Sequence, residues 1–147
     1  MQKTLLHILM HIGRLLERAA EEELAPIGLH HGQSRILRAI ALGRETTQAD
    51  LARRMDIKPA TVTNMLKPLE EKKLIRRKPD KLTNRAMLVS LTPAGEQACT
   101  EIQAAWDRIE ERMRDQLPDL GNKPIDFFQT LETIRATLGG PEPENHK

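Results

Sequence analysis

The chain has 147 residues, a formal net charge of +2 and one cysteine, Cys99. That length suits one domain, or one small domain with an oligomerisation extension, and a lone cysteine excludes an intramolecular disulfide and a cysteine-built zinc finger. Trp106, Phe127 and Phe128 are the only aromatics, too few for stacking on single-stranded bases, so a nucleic-acid partner is expected to be duplex.

From Thr4 to Glu23, Leu5, Ile8, Leu9, Ile12, Leu15, Leu16 and Ala19 recur at helical spacing, and the acidic run Glu21 to Glu23 follows. So broad a stripe on a terminal helix needs a second surface, and the helix is expected to build a homodimer interface. His7, His11 and Arg14 interrupt the run, which is neither a signal peptide nor a membrane span; the expected location is the cytoplasm. Ala25-Pro26-Ile27-Gly28 breaks the pattern. Gln33 to Leu42 forms a second helix, with Ile36, Leu37 and Ile40 inward and Gly43 at its end. His30 and His31 occupy its cap region. Together with His7 and His11 they offer four imidazoles, a ligand pocket or metal site only if the fold brings them together. Structural or solvent-facing histidines are the alternative, and no metal or cofactor is assigned.

The stretch Thr46 to Leu74, TTQADLARRMDIKPATVTNMLKPLEEKKL, reads as two helices joined by a short turn. Ala49, Leu51, Ala52 and Met55 form the inner stripe of the first, and Val62, Met65, Leu66 and Leu69 that of the second. Outward from the second lie Thr61, Thr63, Asn64 and Lys67. Such a surface suits a major groove: methyls meet thymine, amides bond adenine edges, and ammonium groups reach guanine or phosphate. These four are the base-reading candidates. Thr46 and Gln48, at the start of the first helix, and Lys58 are phosphate candidates. Charge follows the same division. Residues 44–85 hold 12 Lys or Arg against 6 Asp or Glu, giving +6 and leaving −4 for the remainder. A module facing phosphates has that asymmetry, although a solvated charged face gives part of it, and two amphipathic helices alone would also fit an ordinary bundle.

The next eighteen residues decide between a bundle and a DNA-binding module. IRRKPDKLTNRAMLVSLT, Ile75 to Thr92, contains two strand-like runs around a polar, basic tip; Met87, Val89 and Leu91 alternate with Ala86, Leu88, Ser90 and Thr92. A helix-turn-helix followed by a basic hairpin is a winged helix. DLARRMDIKPATVTNMLKPLEEKKLIRR, then Asp80 and Arg85, then LTPAG at Leu91 to Gly95, resembles the MarR family of bacterial transcription regulators from the first helix to about Leu138. The resemblance implies a mainly α (α+β) fold: a winged helix-turn-helix with a two-stranded wing over residues 30–92, plus dimerisation helices at 1–25 and 93–140, all as one unit. It implies that Arg85 enters the minor groove; Arg77, Lys78 and Lys81, basic residues of the same hairpin, are further phosphate candidates. Three positions depart from the family pattern. Thr83 stands where the aspartate partner of that arginine is usual, leaving Asp80 or Asn84 to substitute. Lys73 takes a place commonly held by glycine, and Pro68 lies inside the recognition helix, where a proline costs roughly 3 kcal/mol unless the helix kinks or ends early.

After the wing, Thr92 can cap and Pro93 can begin a helix of about 25 residues, a rod near 35 Å. Ala98, Ile102, Ala105, Trp106, Ile109, Met113 and Leu117 mark its stripe. Cys99 lies within it, as a buried inert thiol rather than a redox sensor. A last helix carries Phe127, Phe128, Leu131, Ile134 and Leu138, and the tail 141–147 is expected to be disordered. No catalytic constellation, phosphate loop or Gly-x-Ser-x-Gly elbow is present, so no enzyme is expected. The expected function is a homodimeric, sequence-specific regulator of duplex DNA, a repressor released by a small-molecule effector held between the dimerisation helices and the reading head. The rivals are a sequence-blind architectural DNA binder and a metal-responsive regulator using the four histidines.

Overall fold

A computed structural model describes residues 4–43, 45–80, 86–116 and 124–139. Helix α1 (Leu5–Leu24) starts on Thr4, whose hydroxyl oxygen accepts from the His7 amide, and ends in a 3-10 turn at Ala25–Ile27. Helix α2 (His31–Gly43) is next, then strand β1 (Glu45–Thr47), helices α3 (Gln48–Met55) and α4 (Pro59–Glu71), strands β2 (Ile75–Pro79) and β3 (Met87–Leu91), and helices α5 (Pro93–Gln116) and α6 (Pro124–Thr137). The expected helices and hairpin are all present. Residues Met1–Ile109 and Glu110–Lys147 form two compact units; the tail 141–147 lies outside the described residues.

The two-stranded wing, β2 paired with β3, is joined by β1 in a three-stranded antiparallel sheet in the order β1-β3-β2. Three residues are too few for alternation to signal a strand, so Glu45–Thr47 read as the approach to a helix. Thr46 instead pairs with Val89 and is 5% exposed. A central β3 is enclosed on both faces, with Val89 and Ser90 both buried, rather than having one face in solvent.

Three connections, after the first helix, α3 and α4, share one device. After the first helix Leu29 N–H bonds Leu24 C=O, after α3 Ile57 N–H bonds Ala52 C=O, and after α4 Leu74 N–H bonds Leu69 C=O. The intervening residues Gly28, Asp56 and Lys73 are left-handed, with φ of 69°, 51° and 58°. Each is a Schellman ending, which satisfies last-turn carbonyls and turns an apolar residue back onto the helix it leaves. Here those residues are Leu29, Ile57 and Leu74, all part of or packed on the core. Pro68 does not break α4, but the helix ends one turn later at Glu71, so little helix depends on the bond that proline removes.

That core runs from Ala20 to Ile109. Leu24, Ile36, Leu37, Ile40, Leu51, Val62, Leu66, Leu69, Val89 and Ile102 have no exposed surface. At about 1.5–3 kcal/mol per buried aliphatic side chain, this packing is the main term holding α2, α3, α4 and α5 around the sheet. Thr92 joins wing to α5 as expected: its Oγ1 accepts the Gly95 amide at 3.1 Å, and its own hydroxyl donates to Lys73 C=O at 2.7 Å.

Candidate nucleic-acid interface

The turn between α3 and α4 is short, and its backbone favours both helix ends. Asp56 closes α3, Lys58 takes extended backbone at the N-cap of α4, and Pro59 fits the first helical position, where no amide hydrogen is needed. Inward, Val62, Leu66 and Leu69 are fully buried and Met65 half-buried; outward, Thr61, Thr63, Asn64 and Lys67 are all exposed. Packing thus leaves the four base-reading candidates on the surface. At 100° per residue, Thr63, Asn64 and Lys67 share one face and Thr61 flanks it. The Thr63 hydroxyl donates to Pro59 C=O at 3.1 Å. Ala60 lies on the same exposed face and was missed in the sequence; its spacing from Asn64 and Lys67 was the signal.

The phosphate candidates divide. Lys58 is exposed beside the amide end of α4, where the helix dipole favours an anion. Gln48 begins α3 with its Nε2 buried and unpartnered among the described residues. Thr46 does not reach solvent; the residue at the α3 N-terminus is Thr47, whose Oγ1 accepts the Asp50 amide at 3.1 Å and donates to Asp50 Oδ2 at 2.7 Å. That hydroxyl, with Arg53 beside it, holds the Asp50 carboxyl below its ordinary range. Lys81 and Arg85, with Thr83 and Asn84, lie outside the described residues.

Arg77 and Lys78 are engaged within the chain. Arg77 Nε donates to Glu70 Oε2 at 2.8 Å and Nη2 donates to the same oxygen. The bond draws the Glu70 carboxyl below, and raises the Arg77 guanidinium above, their usual values. Lys78 pairs with Glu45 across the sheet.

The histidines do not converge. His7 and His11 are exposed on α1, whereas His30 Nδ1 lies 3.4 Å from Glu21 Oε2 and the His31 amide donates to Glu21 Oε1 at 2.9 Å. Glu21 is about four turns of α1 from His7, on the order of 21 Å. Among the described residues no group of three metal-ligating side chains is assembled. Cys99 is half-buried beside α2, and burial pushes its thiol above the ordinary value, the condition of an unreactive thiol.

A capped helix-turn-helix, a polar short-chained outward face and a hairpin pinned to its second helix define a winged helix-turn-helix protein. The model of the MarR family matches residues 27–86. The uncharacterised HTH-type transcriptional regulator YwoH of Bacillus subtilis is 28% identical over 127 residues, which are 86% of this chain and 90% of that protein. The solved S. aureus MepR–DNA complex is 23% identical with a TM-score of 0.79, over 92% of this chain and 97% of that one. A MarR mutant from E. coli complexed with operator DNA is 23% identical with a TM-score of 0.68, over 92% and 98%. Over residues 27–86 the chain is thus similar to the MarR family of DNA-binding transcriptional regulators of helix-turn-helix type. Among the described residues no helix is long and apolar enough to cross a membrane.

Proposed function

We propose that the protein is a cytoplasmic, homodimeric repressor that binds a pseudo-palindromic operator and is released by a small-molecule effector. The observation that carries the reading is the α4 surface, where Thr63, Asn64 and Lys67 face outward from a helix whose opposite side is fully buried. Two solved structures of similar fold were determined with DNA, which supports this use of the surface. Helix α1 supports the dimer: Leu5, Leu6, Met10 and Leu15 are each more than half exposed, an apolar stripe unfavourable in water without a partner. In the second unit Phe127 and Phe128 are exposed as well. A cleft of about 460 Å³ between α2, the sheet and the start of α5, lined by Ala41, Glu45, Arg76, Ser90, Leu91, Glu96 and Cys99, supports an effector site of small-molecule size.

Selection of duplexes from a random pool, followed by footprinting, tests the reading. A two-fold dimer presents two recognition helices about one duplex turn apart, so protection is expected on two inverted half-sites. Equal affinity for selected and random duplex would favour the architectural rival and overturn sequence-specific repression.

A further inference from the structure

Three consecutive cations begin the wing, and each has an acceptor within the chain. Strand alternation sends them to opposite faces. Arg76 Nε donates to Ser90 Oγ at 3.0 Å and Lys78 pairs with Glu45, while Arg77 turns the other way, to Glu70 in the last turn of α4. The Arg77–Glu70 pair is the more enclosed of the two ion pairs, its side chains 25% and 37% exposed against 51% and 44% for Lys78–Glu45. It bridges the connection Lys72 to Leu74, where the backbone passes through a left-handed non-glycine residue. This is the only covalent link through which α4 runs into the hairpin. Backbone bonds hold the turn, but a turn of three residues still permits the hairpin to swing, and two N–H donors converging on one carboxylate oxygen resist that swing.

We propose that Glu70 is a positioning residue for DNA docking: by gripping Arg77 it sets the angle between the recognition helix and the wing, and Arg77 serves DNA binding through this grip rather than as a phosphate ligand. The inference rests on the DNA-binding reading above. The expected effect is opposite in sign to that of ordinary electrostatics. Glu70 is an acid close to a surface that meets a polyanion, so removing it should strengthen binding if it does nothing else. As a positioning residue its loss should weaken binding.

The test uses full-length Glu70→Ala, Arg77→Ala and the double variant, titrated with salt on a selected duplex, with Glu70→Gln as the isosteric version should the alanine variant fail to fold. Glu70→Ala is expected to lose about tenfold in affinity, and the double variant to lose no more than either single one, because the two groups act as a unit. Footprints should keep major-groove protection at the centre of each half-site and lose the flanking protection supplied by the wing, a split that a mere loss of stability would not produce. Tighter or unchanged binding by Glu70→Ala or Glu70→Gln overturns the proposal. So does a salt slope reduced by about one unit in Arg77→Ala alone, which would make Arg77 a phosphate contact. A wild-type chain with no preference for any duplex would overturn the DNA reading and this proposal together, whereas a selective wild type with an indifferent Glu70→Gln overturns only the latter.

Discussion

Lys73 holds φ at 58° with its side chain exposed, so it carries the steric cost of a left-handed backbone with no packing in return. Lys73→Gly should raise stability by up to about 1 kcal/mol, read as a higher denaturant midpoint at unchanged slope; a lower midpoint would mean that unfolded-state entropy outweighs the relief. Asn64 is exposed at the middle of the outward face of α4. An amide bonding a base edge contributes about 1–3 kcal/mol of discrimination, so Asn64→Ala should relax preference at one position per half-site and leave the salt slope unchanged. Uniform weakening on every duplex would count against base reading. The outward-facing residues of α4 were legible in the sequence because helical periodicity alone places them. The engagement of Arg77 was not, since a partner seven residues away across a turn leaves no periodic trace.

Among the elements, α3 is the shortest helix and depends most on its ends. Thr47→Ala removes its N-cap and should cost about 1 kcal/mol, measurable by thermal denaturation. Acid acts on the same bond. Asp50 and Glu70 both have carboxyls lowered by hydrogen bonds, from Thr47 and Arg77 respectively, so their contribution is fully present above the ordinary carboxylate range and is lost as the pH falls through the lowered values. The melting temperature should fall on acidification through that window, by less in Thr47→Ala than in the wild type; equal acid sensitivity would show the cap to be unimportant. Long elements were readable because α1, α2, α4 and α5 each repeat an apolar stripe. Strand β1 was not, being too short, and two of the four left-handed helix ends among the described residues are Asp56 and Lys73 instead of glycine.

At the scale of the whole molecule, the buried apolar residues among those described all lie between Ala20 and Ile109, and the described residues of α6 include none that is buried. Phe127, Phe128 and Leu138 are 44%, 64% and 79% exposed. A helix of 14 residues with so little enclosed surface is marginal by itself in water. In the homodimer proposed above, its ordering becomes a second-order reaction. Refolding should show an early phase in which α2 to α5 form at a rate independent of protein concentration, and a later one, reported by the C-terminal helix, whose rate doubles when the chain concentration is doubled. Stopped-flow circular dichroism across a tenfold dilution series separates the two, and a single concentration-independent phase would mean that α6 completes itself within one chain. With a bimolecular last step, as the proposed dimer requires, the amount of protein in the cell sets how much of it is fully folded, so a regulator of this build loses function by dilution before it loses it by denaturation.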